Sequence, residues 1–184
     1  MAVDISNNSY NDNKICQFAK NGDLKGIQNT IEIDEIAVNF QDEFGRTALS
    51  YAAEQDHYNV AEYLVNKGAN QKIMDLDGRT PLFYPVIYGH FEMIEYLVGQ
   101  GADLSVKDQF GRTLISCASE RGHLEVVKFL IGKGVDIDAR DLVGRTPYSY
   151  AIEAGHTDVV QVLFQNTKRL TKTEMLKARF SNIW

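Results

Sequence analysis

The sequence predicts an all-α solenoid of stacked helix–turn–helix units, in which a projecting β-turn finger precedes each pair of helices. Two observations lead to this prediction. The triplet Gly-Arg-Thr recurs every 33 residues, at Gly45, Gly78, Gly111 and Gly144. All four histidines follow the same interval, at His57, His90, His123 and His156. A fixed period of this length indicates a repeat architecture, and four occurrences in one register exclude coincidence.

The residues around each triplet predict a tight turn followed by a helix. An aspartate stands three residues before each glycine, at Asp42, Asp75, Asp108 and Asp141. Aspartate hydrogen-bonds its own downstream backbone in turns, and glycine supplies a positive φ. A threonine then stands where an N-cap hydroxyl is needed, at Thr47, Thr80, Thr113 and Thr146. Pro81 and Pro147 follow at the expected first helical position, where proline is tolerated.

A second helix is predicted in each unit after a glycine–histidine step. Apolar residues such as Val126, Val127 and Leu130 recur there at helical spacing and predict a buried face. A further glycine series is expected to end this helix in a left-handed conformation, at Gly68, Gly101 and Gly134.

The unit Asp-x-x-Gly-Arg-Thr-Pro-Leu, followed by Gly-His and then Gly-Ala-Asp, resembles the ankyrin repeat over residues 15–166. The resemblance implies a curved array whose fingers and first helices form a concave side. Two departures stand out. Pro85 replaces a usual small residue and should kink or shorten its helix, and the family's histidine after Pro-Leu is replaced by Phe83, Ser116 and Ser149.

We expect a flexible N-terminus over residues 1–13 and a repeat domain over residues 14–166. The repeat domain divides into a degenerate capping repeat and four further repeats, at residues 14–40, 41–73, 74–106, 107–139 and 140–166. The segment 167–184 has five basic residues and one acid, a net charge of +4. A capping-box pattern from Thr171 to Glu174 predicts a closing helix there, and a basic recognition or membrane-surface segment is the alternative.

The composition and charge of the chain restrict the kinds of partner and of chemistry that we expect. The net charge of −6 argues against nucleic acid, because phosphate binding needs clustered basic residues. No apolar stretch is long enough for a membrane span. Cys16 and Cys117 are predicted to be buried free thiols, which favours a reducing cytoplasmic compartment. No residue pattern indicates a catalytic site, a metal site or a cofactor, so we predict a non-enzyme that is monomeric when alone.

The repeated arginines allow two interpretations. Four basic side chains in a row could bind an acidic partner, or each could pair with a nearby acid and brace its finger. We favour the brace. The residues concerned are Arg46, Arg79, Arg112 and Arg145.

The fingertips predict a protein-binding surface, because each carries at least one apolar residue where a solvated turn prefers polar ones. The alternative is that neighbouring tips pack on one another. Residues of the tips and of the adjoining helix ends make up the predicted partner-binding set: Glu43, Phe44, Glu54, Gln55, Met74, Leu76, Asp77, Ile87, Tyr88, Gln109, Phe110, Glu120, Arg121, Leu142 and Val143, with Glu153 at the rim. The repeated glycines, threonines and histidines are predicted to be structural.

These observations predict an intracellular scaffold or adaptor that binds one protein partner of unknown identity. A targeting or regulatory subunit of an enzyme, or a microbial effector acting in the host cytosol, is the alternative.

Overall fold

The computed structural model describes residues 8–33 and 38–167, and it describes their side chains from residue 14 onward except at Ile33. The regular elements of this part are ten helices: α1 (Asn8–Asn21), α2 (Leu24–Ile33), α3 (Ala48–Glu54), α4 (Tyr58–Asn66), α5 (Phe83–Tyr88), α6 (Phe91–Gly99), α7 (Leu114–Arg121), α8 (Leu124–Gly132), α9 (Pro147–Ala154) and α10 (Thr157–Asn166). The predicted all-α repeat fold is confirmed.

The chain forms two compact units. Unit 1 comprises Met1–Pro85 and Glu92–Asp103, and unit 2 comprises Val86–Phe91 and Leu104–Trp184. In unit 1, α1 packs on α3 and α2 packs on α4. In unit 2, α7 packs on α9 and α8 packs on α10. Apolar side chains at helical spacing, such as Ile27, Leu64, Leu130 and Leu163, are buried between these helices, and their burial drives the packing.

Each finger is a turn held by its aspartate, as the sequence predicts. In the fourth finger, one carboxylate oxygen of Asp141 accepts hydrogen bonds from the backbone N–H groups of Val143 and Arg145, at 2.9 and 2.8 Å. The first three fingers repeat both bonds. The glycine of the turn has a φ of +84° at Gly144, which explains why glycine recurs at this position.

The threonine after the turn is the N-cap residue of α3, α7 and α9. The hydroxyl oxygens of Thr47, Thr113 and Thr146 accept hydrogen bonds from the backbone N–H three residues later. At the start of α9, Ser149 bonds back to Thr146 and completes a capping box. Serine at this position, where the family has histidine, therefore reinforces the cap.

The region of Pro81 and Pro85 departs from the expectation. Pro147 is the first residue of α9, but α5 begins only at Phe83, two residues after Pro81. Pro85 has no N–H to donate to the carbonyl of Pro81, so the helix starts two residues later than in the other repeats. Pro85 then lies in the first turn of α5, where the missing N–H has no cost. The proline shortens this helix to six residues, as one of the two predicted outcomes.

Three of the four repeated histidines join successive repeats through a hydrogen bond to a backbone carbonyl. The Nε2 of His57 donates to the carbonyl of Lys20 at 3.1 Å in unit 1. In unit 2, His123 donates to the carbonyl of Ile87 at 2.9 Å and His156 to that of Glu120 at 3.1 Å. Each of these histidines is the N-cap residue of its helix, without a capping bond from its side chain.

The N-terminal segment differs from the expectation, and the predicted C-terminal helix lies outside the described residues. The helix α1 begins at Asn8, within the segment 1–13 that we expected to be flexible, and residues 1–7 are not described. The expected C-terminal capping helix falls in residues 168–184, also outside the described part. The last described residue, Thr167, hydrogen-bonds the carboxylate of Asp138.

Ser119 is a buried serine whose hydroxyl has no hydrogen-bond partner among the described residues. We expect Ser119→Ala to stabilise the protein by about 1 kcal/mol, because an unsatisfied buried hydroxyl loses its bonds to water without compensation. Urea unfolding monitored by circular dichroism measures the change. Ser116→Ala in the same helix is the control, because the Ser116 hydroxyl bonds that of Thr113 at 2.9 Å and its loss should destabilise. A loss of stability in Ser119→Ala would contradict the expectation.

Candidate partner-binding site

Beside the first finger, Arg46 is held between two aromatic rings. Its guanidinium carbon lies 3.9 Å from the ring centroids of both Tyr51 and Tyr84, and its Nη2 bonds Glu54 at 2.7 Å. Burial alone would lower the pKa of Arg46, but the bond to Glu54 and the nearby tyrosines hold the pKa above its usual value. Arg46 is therefore a fixed part of the finger's support.

The other repeated arginines also pair with acids. Arg79 lies 3.3 Å from a carboxylate oxygen of Asp77. Arg112 bonds Asp108 at 2.8 Å, and Arg145 bonds Asp141 at 3.0 Å. The prediction that these arginines brace the fingers is confirmed.

Three tyrosines that were not among the residues predicted from the sequence complete this support. The hydroxyl of Tyr51 donates to Asp42 at 2.6 Å, and that of Tyr150 donates to Asp141 at 2.7 Å. Tyr84 donates to Asp75 in the same way. Burial, and then the bond to the aspartate, raises the pKa of all three tyrosines. Their placement in the 33-residue period was the signal available in the sequence.

The third repeat replaces this tyrosine with Cys117, and its brace is built differently. The Nε of Arg112 donates to the Asp108 carboxylate at 2.8 Å. The accepting oxygen corresponds to the one that the tyrosine hydroxyls bond in the other repeats. Arg112 also bonds Glu120 at 3.2 Å and lies 5.3 Å from the ring centroid of Phe110. Arg145 makes the same Nε bond to Asp141 beside the tyrosine bond, so the arginine bond is shared by both fingers and the tyrosine bond is not.

Neighbouring fingers within a unit are joined through their main chains. The backbone N–H of Leu76 donates to the carbonyl of Phe44 at 3.0 Å in unit 1. In unit 2, Leu142 makes the same bond to Phe110, also at 3.0 Å. Hydrogen bonds thus join the finger backbones within each unit, and the side chains at the tips are exposed.

The apolar side chains at the tips are exposed, and they do not bury one another. Phe44 and Phe110 are 57% and 51% exposed. Leu76, Leu142 and Val143 reach 73%, 78% and 74%. Exposed apolar side chains carried at regular intervals on hydrogen-bonded turns are typical of a surface that binds another protein.

The remaining residues of the predicted set fall into three groups. The first group is exposed: Glu43, Gln55, Met74, Tyr88, Gln109, Arg121 and Glu153. The second is half-buried: Asp77, Ile87 and Glu120. Glu54 differs from both, because only 13% of its side chain is exposed and it bonds Arg46. Glu54 therefore belongs to the brace in this structure.

Tyr58 is an exposed aromatic residue that the predicted set did not include. It is 38% exposed at the start of α4, and its ring centroid lies 5.1 Å from that of Tyr96. It borders a shallow cavity of about 300 Å³ with Gly22 and Asp56. Because Tyr58 lies on α4 and not on a finger, a substitution of Tyr58 can serve as a control for substitutions at the tips.

The cysteines are buried free thiols, as predicted. Burial, with a smaller effect of Asp42, raises the pKa of Cys16 to about 12, so its thiol stays protonated at neutral pH. In the described part of the chain, no three His, Cys, Asp or Glu side chains are grouped as metal ligands. No helix among the same residues is long and apolar enough to cross a membrane.

Asp141 links the stability of the fourth finger to pH. Burial by itself would raise its pKa, but hydrogen bonds from Tyr150, from the side chain and backbone of Arg145 and from the Val143 backbone lower the pKa below 3.8. A lowered pKa in the folded state contributes stability above the unfolded pKa, and this stability is lost as pH falls through the folded value.

We therefore expect Asp141→Asn to cost about 2 kcal/mol at pH 7, because charge-assisted hydrogen bonds are lost. The difference from the wild type should shrink as the pH falls below the ordinary carboxyl range and through the lowered folded pKa of Asp141, because the wild-type carboxylate is then protonated. Urea unfolding at a series of pH values measures it. Glu62→Gln, which changes an exposed carboxylate on α4, is the control. A difference that stays constant with pH would contradict the assignment.

The turn, the paired helices and the 33-residue period together define a helical repeat protein. A family model described as ankyrin repeats in three copies matches residues 15–108 and 98–174. The chain belongs to the ankyrin-repeat family, whose members typically mediate protein–protein interactions without catalysis.

One relative among curated proteins is the Acyl-CoA-binding domain-containing protein 1 of Arabidopsis thaliana. It is 41% identical over 64 residues, which are 35% of this chain and 19% of that protein. The match therefore covers about a fifth of the relative's length.

Proposed function

We propose that this protein is a non-catalytic scaffold or adaptor that binds a protein partner through its fingertips and the adjoining ends of the first helices. The observation that carries the proposal is the exposure of the apolar tips, which is above one half at Phe44, Leu76, Phe110, Leu142 and Val143. Exposed apolar side chains lose unfavourable contact with water when a partner covers them.

The brace supports the same proposal by making the tips rigid. Each tip stands on a turn held by an aspartate, an arginine and, in three repeats, a tyrosine. A turn whose backbone is held in place before binding loses little conformational freedom on association. The arginines and Glu54 are engaged within the fingers, so the apolar tips are the residues expected to anchor the partner.

We further propose a reducing intracellular compartment for this function. The support is that Cys16 and Cys117 are buried free thiols, since proteins of oxidising compartments commonly pair their cysteines. The identity of the partner would separate a general adaptor from the targeting or regulatory subunit of an enzyme.

The test uses one double variant for each unit. We expect Phe44→Ser with Leu76→Ser, or Phe110→Ser with Leu142→Ser, to weaken partner binding about 30-fold, because central apolar anchors contribute about 2 kcal/mol or more. Affinity capture from cells that express the protein, with quantitative mass spectrometry, identifies the partner. Titration of the purified partner then gives the dissociation constants.

Tyr58→Ser is the matched control, because it removes an exposed aromatic side chain that lies away from the fingers. The double variants should retain the wild-type circular dichroism and a similar stability, since exposed substitutions usually change stability by less than about 0.5 kcal/mol. Tyr58→Ser should keep the fold and lose about 1 kcal/mol, because it removes the ring contact with Tyr96. A partner that binds both double variants as tightly as the wild type would refute the proposed surface.

A further inference from the structure

The third finger, in unit 2, has its outer edge closed by the fourth. The Phe110 carbonyl accepts the N–H of Leu142 at 3.0 Å, and a Cβ built at Gly111 would lie 3.1 Å from the Leu142 backbone nitrogen. At the fourth finger, a Cβ built at Gly144 would meet no described atom within 4 Å. Leu142 and Val143, at 78% and 74%, are the most exposed of the large apolar residues described. The described residues therefore leave this apolar edge without a cover.

The chain itself runs on beside this edge. The helix α10 ends at Asn166, and Thr167 follows it in an extended conformation. The Thr167 hydroxyl donates to the carboxylate of Asp138, which precedes Leu142 by four residues. The Cα atoms of Asp138 and Leu142 therefore lie at most about 15 Å apart. About five extended residues span this distance, and residues 168–184 supply seventeen.

The charges of the last repeat and of the segment that follows it are opposite in sign. Residues 136–166, which include the fourth finger, carry five acids and two bases, a net charge of −3. Residues 168–184 carry five bases and one acid, a net charge of +4. Asp136 and Glu153 are exposed, whereas both bases of the repeat already bond acceptors within the finger. Electrostatic attraction therefore favours contact between the segment and this repeat.

The segment also carries large apolar residues that could bury the tip: Leu170, Met175, Leu176, Phe180, Ile183 and Trp184. Because the segment is joined to the chain beside the edge, it acts there at an effective concentration on the order of 1 mM. A separate protein, or a second copy of this chain, must reach a similar concentration to compete equally. The covalent connection therefore favours the protein's own segment as the occupant of the edge.

Resting on the proposed function, we propose that residues 168–184 fold back over the outer edge of the fourth finger and cover Leu142 and Val143 in the free protein. Basic residues of the segment lie against Asp136 and Glu153, and apolar residues lie on the tip. The segment then covers part of the unit 2 binding surface, and a partner must displace it to reach Leu142. The tips of unit 1 take no part in this contact.

Amide hydrogen exchange of the intact protein, followed by mass spectrometry, tests whether the finger is covered. Wild type is compared with a charge-reversed variant that combines Lys172→Glu, Lys177→Glu and Arg179→Glu. Each substitution changes the charge by two, so the segment changes from +4 to −2. Lys128→Glu with Lys133→Glu, at two exposed residues of unit 2 outside the segment, is the control for a change in net charge.

We expect exchange at residues 142–144 to be about tenfold faster in the charge-reversed variant. An effective concentration of about 1 mM and a contact with a dissociation constant of about 0.1 mM give protection of this size. Exchange at residues 43–45, in the first finger, should stay the same in both proteins. The control variant should exchange like the wild type at both fingers.

Carbodiimide cross-linking of the wild type identifies what covers the edge, because this reagent joins a lysine amine to a carboxylate that it touches. We expect cross-links from lysines of residues 168–184 to Asp136 or Glu153, within monomers. The charge-reversed variant should lose them. Mass spectrometry of the separated monomer and dimer bands locates the linked residues.

Three outcomes would overturn the proposal. They are equal exchange at residues 142–144 in the wild type and the charge-reversed variant, cross-links to Asp136 or Glu153 found only in dimers, and no such cross-links at all. Dimer-only links would assign the edge to a second copy of the chain. Each of these outcomes leaves the proposed function standing, because that function is tested by the partner's affinity for the fingertip variants and not by the position of this segment.

Discussion

Gly122→Ala is expected to lower the free energy of unfolding by about 3 kcal/mol, because two costs add at this position. Gly122 has a φ of +75° at the end of α7, where a residue with a Cβ is strained by about 1 kcal/mol. The added Cβ would also lie 2.5 Å from the ring of His156. The histidine must move and lose its 3.1 Å bond to the carbonyl of Glu120.

Urea and thermal unfolding measure this effect, with Gly134→Ala as the matched control. Gly134 has a φ of +77°, but a Cβ added there would meet no described atom within 4 Å, so only the backbone cost of about 1 kcal/mol applies. The cost of Gly122→Ala should fall toward that of the control in a His156→Ala background. Equal losses in both single variants would contradict the role given to the histidine.

Arg46→Ala is expected to destabilise the protein by about 2–3 kcal/mol. The substitution removes a guanidinium from between two rings and leaves the largely buried carboxylate of Glu54 without its bond. Cation–π contacts at desolvated sites contribute about 2 kcal/mol, and hydrogen bonds to charged groups contribute a similar amount. Because these contributions overlap, the total is smaller than their sum.

Arg145→Ala is the control, since this arginine stacks on one ring and is more exposed. Its loss should cost less, about 1 kcal/mol, because one ring contact is lost and the buried Asp141 keeps its bonds from Tyr150 and from two backbone N–H groups. Arg46→Lys should fall between the two, because lysine keeps the charge without the planar group. Chemical denaturation curves of the three variants give the comparison, and equal losses at Arg46 and Arg145 would contradict the brace.

The regular 33-residue spacing made most of the fold predictable from the sequence. The Gly-Arg-Thr triplets located the turns, and Thr47, Thr113 and Thr146 cap helices where the spacing placed them. These features are local, because a turn aspartate or an N-cap threonine acts within three or four residues of itself. Local chemistry that repeats at a fixed interval can be recognised without knowing the tertiary structure.

Departures from the repeat pattern and contacts between repeats were harder to predict from the sequence. Asp56 occupies the position that is glycine at Gly89, Gly122 and Gly155, and its φ of 57° places it in the left-handed region. The start of α5 at Phe83 depends on which carbonyl Pro85 leaves without a bond. The stacking of Tyr84 on Arg46 joins residues 38 positions apart, and no local pattern indicates it.

Part of the candidate site was also visible in the sequence. Apolar residues at turn positions predicted the exposed tips, because a turn of this kind leaves its two central side chains without a core to enter. The charges near them were less predictable. Glu54 is adjacent to the tips in the repeat, but its bond to Arg46 follows from the direction of two long side chains.

The most direct test of the central claim is amide hydrogen exchange of the intact protein with and without its captured partner. If a partner covers the fingertips, its binding should slow exchange at the finger segments, residues 43–45, 76–78, 109–111 and 142–144, in at least one unit. The exposed faces of α4 and α8 should exchange at unchanged rates. Protection confined to α4, α8 or the C-terminal segment, with the fingers unaffected, would contradict it.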